Sequence, residues 1–423
     1  MNILVVGAGA REHALCWKLR QSPRAEKIFQ LPYSHGISQI AESLEIGALE
    51  FEKIAILCEK ENIELVVVGP EEPLSRGISD FLEKKGVKVF GPRMRGAVLE
   101  ASKQVAKEFM NRHYIPTADF KIVYDSSYAK EYLKEKNTYP VVIKADGLAA
   151  GKGVRICNSQ EEAFEAVEDF MEKRIFGASG SKIIIEEFLQ GWECSIMAVV
   201  DGKTFTMLPV SMDHKRLMDG DRGPNTGGMG AVCPVKLSED LLEEIKNEVL
   251  WRFITGIVTE KIDYRGIIYA GLMITEKGPR VLEFNCRFGD PETQAILPLL
   301  DEDLLELLYA ASCGGKLEKE QAVLKPKACA CLVLAADGYP ENPRKGDEIT
   351  GLEKTDEAEI FHAGIKFENG RYFTSGGRVL TVSAAGADIK KALEKAYKKA
   401  EEIKFYGKHY RRDIGFRLKD LSM

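Results

Sequence analysis

No run of this 423-residue chain approaches the ~20 apolar residues that a membrane span needs. The start, Met1-Asn2-Ile3-Leu4-Val5-Val6-Gly7, has no basic segment, and glycine cuts its apolar run short, which argues against a secretory signal. The nine cysteines are scattered without a C-x-x-C pair, so neither a disulfide framework nor a zinc site is expected. Cys329 and Cys331 alternate in an apolar run, as on one face of a buried strand. Basic residues are in deficit, 59 against 65 acidic, for a net charge of −6. With no basic stripe either, nucleic acid is not an expected partner. Internal repeats, low-complexity tracts and nucleophilic Ser or Cys constellations are also missing. There remains a chain of ordinary globular composition, expected in the cytoplasm and long enough for about three domains.

The pattern that is present is mixed α/β and α+β. Over residues 1–120, apolar strands at 3–6, 27–30, 65–68 and 87–90 alternate with amphipathic helices at 12–20, 51–60 and 74–85. That order predicts a Rossmann-like parallel sheet covered on both faces. A helix over 103–112 connects onward and stops before Pro116. Residues 121–190 read as a small unit with a helix near 161–173. Residues 191–326 read as a larger α+β unit with a long helix over 239–260 and strands at 269–274 and 281–285. A polar linker over 314–327 leads to a small α+β domain at 327–423, with strands near 328–335 and 378–383 and a helix over 389–403.

Four segments carry chemistry. In the strand ending Leu282-Glu283-Phe284-Asn285, Glu283 and Asn285 share a face and offer hard oxygens suited to Mg²⁺. Arg287 continues that face with a fork for a carboxylate or phosphate. Asp290-Pro291-Glu292 reads as a helix start, with Asp290 as N-cap and proline at the first helical position. The alternative is an edge strand with solvated polar residues. The second segment, Lys144-Ala145-Asp146-Gly147-Leu148-Ala149-Ala150-Gly151-Lys152-Gly153-Val154, lies between two strands. Its small residues let backbone N–H groups approach phosphate, and lysines flank it. It is not a Walker A loop, because the spacing fails and no helix follows; the alternative is a plain glycine-rich hairpin. The third, Gly7-Ala8-Gly9-Ala10-Arg11-Glu12-His13, is an incomplete dinucleotide fingerprint. Glu12 stands where the third glycine belongs, and no ribose-binding acid ends the second strand. It suits a single phosphate at a helix N-terminus, with His13 open to a plain helix-face role. The fourth, over 213–230, is too glycine-rich for a helix and too charged for a core strand, and reads as an ordered ligand loop rather than a solvated one.

Taken together, the segments 144–154, 213–230 and 282–294 resemble the phosphoribosylamine–glycine ligase family of the ATP-grasp superfamily. The likeness extends to Gly69-Pro70-Glu71-Glu72-Pro73-Leu74, Leu99-Glu100-Ala101-Ser102-Lys103, Glu186-Glu187-Phe188-Leu189, Ala335-Ala336-Asp337-Gly338-Tyr339-Pro340 and Arg411-Arg412-Asp413-Ile414-Gly415. It implies an ATP-grasp fold after the first domain. It also implies ATP-dependent joining of glycine to 5-phosphoribosylamine through glycyl phosphate, with Mg²⁺ or Mn²⁺ as cofactor. On that likeness, Lys103 and Lys144 hold phosphates, and Gly147, Gly151, Lys152 and Gly153 form a lid. Glu186, Phe188 and Leu189 meet adenine, and Glu193 takes the ribose. Glu283 and Asn285 carry metal, and Arg287, Asp213 and Lys215 are catalytic around glycine. Gly9, Arg11, Pro70 and Glu71 receive the phosphoribosylamine. A monomer or weak dimer is expected. The rivals are an ATP-grasp enzyme acting on another acid and a nucleotide-binding oxidoreductase built on the first glycines. Two places depart from the family. Ala10 precedes Arg11 where the family has glycine, and Pro32-Tyr33-Ser34-His35-Gly36 replaces its usual turn. The strand at 269–274 also offers no second metal-binding acid, which leaves the number of metal ions open.

Overall fold

The first sheet is parallel, in the order Glu42–Ser43, Lys27–Leu31, Asn2–Val6, Ile63–Val68, Lys88–Phe90. Alternation along its central strands divides two cores. Ile3, Val5, Leu65 and Val67 face the helices Ala10–Leu19 and Leu304–Ser312, whereas Leu4, Val6, Val66 and Val68 face Phe51–Lys60 and Ile78–Glu83. This is the doubly covered parallel sheet that the apolar strands predict. The computed structural model describes residues 1–147, 153–314, 317–353 and 357–418.

Where one helix over 74–85 is expected, two form, Glu71–Ser75 and Ile78–Glu83. Gly77 separates them at φ +83°, a conformation that glycine adopts without steric cost. The helix Lys103–Arg112 then leads to a four-stranded antiparallel sheet, Phe120–Val123, Ile183–Glu187, Val141–Ala145, Val154–Cys157. A second four-stranded antiparallel sheet follows, Phe205–Met207, Trp192–Val200, Gly266–Thr275, Gly278–Asn285. The helix over 239–259 packs on it and widens mid-course into a π turn, Lys246–Trp251.

The segment 213–230 is less of a loop than its charge suggests. Met212–Asp213 pairs with Gly230–Cys233, and Arg216–Met218 pairs with Arg222–Asn225. Cross-strand backbone bonds form here because the polar side chains find partners in a distant segment, described below. Gly230–Cys233 also pairs with Ala328–Ala335, which pairs with Arg378–Gly386. One five-stranded sheet therefore joins strands near 212–233 to strands of the last hundred residues.

Candidate active site

The strand Gly278–Asn285 sets Glu283 opposite Gly271 and Asn285 opposite Tyr269. Burial would raise the Glu283 carboxyl, but Lys215, Lys103, Lys144 and Arg287 outweigh it and hold it below the ordinary range. An ionised carboxylate and an amide oxygen on one face are hard-oxygen donors of the kind that suits Mg²⁺ or Mn²⁺. Among the described residues no cluster of three or more His, Cys, Asp or Glu forms a metal cage. Arg287 Nε lies 3.1 Å from Glu100 and 3.4 Å from Glu71, and its Nη2 is 3.4 Å from Asn285 Oδ1. Burial would lower the guanidinium, but Glu100 and Glu71 more than offset it and raise it. The expected start of the next helix is corrected. It runs Glu292–Ile296 with Pro291 as N-cap. Asp290 is diverted from capping, because it accepts from Arg378 at 2.6 Å and Gln294 at 2.7 Å. The buried Glu292 accepts from Tyr269 at 2.9 Å and Ser195 at 3.2 Å.

Opposite this wall stand the paired strands Val141–Ala145 and Val154–Cys157, which flank the glycine-rich segment. Lys144 donates to the Leu282 carbonyl at 3.2 Å, one residue from Glu283, and pairs with Glu186 at 3.0 Å. Lys103 donates to the Gly147 carbonyl at 2.9 Å. Burial is the largest influence on the Lys103 ammonium and lowers it. Asp146 ties the turn to the start of the helix Lys103–Arg112, accepting from Ser102 Oγ at 3.1 Å and the Gln104 N–H at 2.9 Å. Gly153 accepts from the Ala145 N–H at 2.8 Å, while Gly151 and Lys152 lie outside the described residues. The Glu186 side chain is buried between Lys144 and Lys107, the latter at 2.9 Å. Sequence reading missed Lys107, although it sits four residues after Lys103 on one helix face. Phe188 is exposed and Leu189 half-buried, just past that strand's end, and Glu193 pairs with Lys215 at 3.2 Å.

Asp213 and Lys215 lie beside the same acids. Burial pushes the Asp213 carboxyl up to about 7, with Lys215 opposing and Glu292, Glu193 and Glu283 adding. Burial would lower Lys215, but Glu193 and Asp213 raise it well above its usual value.

The residues expected at a phosphosugar site adjoin Arg287. Arg11 donates to the Phe288 carbonyl at 3.2 Å and pairs with Glu12 at 2.6 Å. Pro70 caps the helix that begins with Glu71. Glu12 folds back so that its carboxylate accepts from the Gly9 N–H at 2.8 Å. A Cβ at Gly7 or Gly69 would overlap Glu12, so this side chain fills the hollow that a pyrophosphate would need. That is the physical reason the turn is not a dinucleotide site. Arg378 reaches the same region from the far end of the chain, a contact with no sequence signal.

Models of the phosphoribosylglycinamide synthetase N domain, ATP-grasp (A) domain and C domain match residues 1–100, 101–293 and 329–417. The chain belongs to the phosphoribosylglycinamide synthetase family. Within that family, it is 47% identical over 415 residues to a phosphoribosylamine–glycine ligase of Caldanaerobacter subterraneus, covering 98% of this chain and 99% of the relative. It is 46% identical over 422 residues to the trifunctional purine biosynthetic protein adenosine-3 of Gallus gallus, and that match spans 42% of the larger protein. The crystal structure of a phosphoribosylamine–glycine ligase from Thermotoga maritima superposes with a TM-score of 0.87 at 38% identity, covering 98% of this chain and 100% of the other. An ATP-grasp synthetase uses ATP.

Proposed function

We propose that this chain is the ATP-dependent enzyme that joins glycine to 5-phosphoribosylamine, giving glycinamide ribonucleotide, ADP and phosphate, a step of purine biosynthesis in the cytoplasm. What supports it most is the Lys144 bond to the Leu282 carbonyl, which brings the phosphate-binding hairpin to the strand bearing Glu283 and Asn285. In this reading the γ-phosphoryl group passes from ATP to a glycine carboxylate oxygen, and ADP leaves. The phosphoribosylamine nitrogen then attacks the glycyl carbonyl carbon. The C–N bond forms, the C–O bond to phosphate breaks, and the amine proton goes to Asp213, whose carboxyl titrates near neutrality. Lys103 and Lys144 hold the triphosphate, and Arg287 and Lys215 neutralise the oxygens on which charge develops.

Gly147, Gly151, Lys152 and Gly153 cover the phosphates and exclude water from the acyl phosphate. Glu186, Phe188 and Leu189 line the adenine end, with Glu193 at the ribose. Glu283 and Asn285 would hold Mg²⁺ or Mn²⁺, which when bound offsets negative charge on the phosphates. Gly9, Arg11, Pro70 and Glu71 receive the phosphosugar amine. The work divides among units at 1–120, 121–190, 191–326 and 327–423, in a monomer or weak dimer. ADP release with ATP, glycine and freshly made phosphoribosylamine tests the reading. Turnover is expected only with all three present, and serine or alanine in place of glycine is expected to give none. Release that ignores glycine overturns it.

A further inference from the structure

The motif Arg411-Arg412-Asp413-Ile414-Gly415 has no part in the reaction above, yet it lies against the segment that carries Asp213 and Lys215. The Arg411 side chain, fully buried, donates to the Arg216 carbonyl at 3.2 Å and pairs with Asp221 at 2.7 Å and Asp413 at 2.8 Å. The Gly220 N–H donates to Asp413 at 2.7 Å, and the Arg412 N–H donates to Asp219 at 2.8 Å. His409 Nε2 meets the Leu217 carbonyl at 2.9 Å. Nearest the site, the Gly415 N–H donates to His214 Nε2 at 2.9 Å. Gly415 has φ +80°, so the turn that presents this N–H favours glycine.

His214 stands between Asp213 and Lys215. The His214 N–H donates to Gly230 at 3.0 Å and its carbonyl accepts from Met229 at 2.8 Å, continuing the pairing of Asp213 with Ala231. In such an extended run neighbouring side chains point to opposite sides. Asp213 and Lys215 both interact with Glu193 and Glu283, so they share the site-facing side. The imidazole takes the other. Burial, with the Arg411 charge adding, pushes it down to about 4, so it is neutral and able to accept from Gly415.

We infer that His214 is a positioning residue: anchored by Gly415, it lets the 409–417 segment set where Asp213 and Lys215 stand toward the amino-acid substrate. This rests on the reading of that pair as the glycine seat. The test is steady-state kinetics of the full chain and three variants, each checked for a cooperative melt. His214→Phe keeps a ring and removes the acceptor. It is expected to raise the glycine KM at least tenfold while the ATP KM stays within twofold. His214→Gln restores an acceptor and is expected to keep the glycine KM within threefold of wild type. Asp413→Asn leaves His214 in place but loosens Gly220 and Arg411, and is expected to raise the glycine KM several-fold.

A Phe variant with the wild-type glycine KM, or one that raises both KM values equally, overturns the inference. If the Phe variant does not melt cooperatively, Asp413→Asn decides, and an unchanged glycine KM there overturns it. Loss of glycine-dependent ADP release in the wild type overturns the reaction itself and this inference with it, an outcome distinct from a variant that matches an active wild type.

Discussion

At the scale of single residues, Arg287 serves two demands at once. In the proposed reaction its charge meets the reacting oxygens, and it is also the counter-ion of Glu100, whose side chain is only 7% exposed. Burial already raises the Glu100 carboxyl, and Arg287 opposes that rise. Arg287→Ala is therefore expected to lower kcat by about 10²–10³ with ATP affinity within about twofold. It is also expected to cost about 1–3 kcal/mol in stability, a cost limited because the abandoned carboxylate can take up a proton. Kinetics, nucleotide calorimetry and urea unfolding on one preparation separate the two effects. His214 makes a second residue-scale prediction, for pH. Its folded value near 4 lies below its ordinary 6.5, so in that interval the unfolded chain binds the extra proton. The stability this group contributes is complete above pH 6.5 and is lost as pH falls toward 4, by at most about 3 kcal/mol. Urea midpoints across that range are expected to fall less steeply for His214→Gln than for the wild type.

Among the elements, the informative joint is between the paired strands Val141–Ala145 and Val154–Cys157 and the helix Lys103–Arg112. Asp146 accepts from the Gln104 N–H and from Ser102 Oγ, and also pairs with Lys182 at 2.8 Å. The helix start thus fixes where the glycine-rich turn begins, and Lys103 closes the contact through the Gly147 carbonyl. Asp146→Ala removes these anchors while keeping Lys103 and Lys144, the lysines of the proposed phosphate site. The expected result is an ATP KM raised about tenfold, the worth of roughly 1.4 kcal/mol of lost positioning, with the glycine KM little changed. Equal ATP KM values for the two proteins count against a hairpin aligned from its base.

For the whole molecule, the five-stranded sheet that unites residues near 212–233 with those of 328–386 matters most. Gly230–Cys233 has Met212–Asp213 on one side and Ala328–Ala335 on the other. Both inner strands are buried, and they feed the same hydrophobic core as the helix Ile389–Glu402. A chain ending at residue 326 would leave the edge of Gly230–Cys233 that faces Ala328–Ala335 unpaired and an apolar face uncovered. It is expected to lack a cooperative thermal transition by near-ultraviolet circular dichroism. A sharp melt for that fragment would mean that the ATP-grasp part folds without the last hundred residues.

Local order was legible from the residues alone, because it follows from short-range rules. The parallel sheet showed in apolar strands set between amphipathic helices, the helix Lys103–Arg112 in its apolar period, and the shared face of Glu283 and Asn285 in the two-residue repeat of a strand. Glu12 in place of a glycine already spoke against a dinucleotide. Other features were decided only by the tertiary structure. Arg378 meets Asp290 across 88 residues, Arg411 meets Asp221 across 190, and Lys107 shares a buried carboxylate with Lys144. Charged residues such as these read as solvated in sequence. Long-range packing removes their water, and each must then find an opposite charge wherever the fold has brought one.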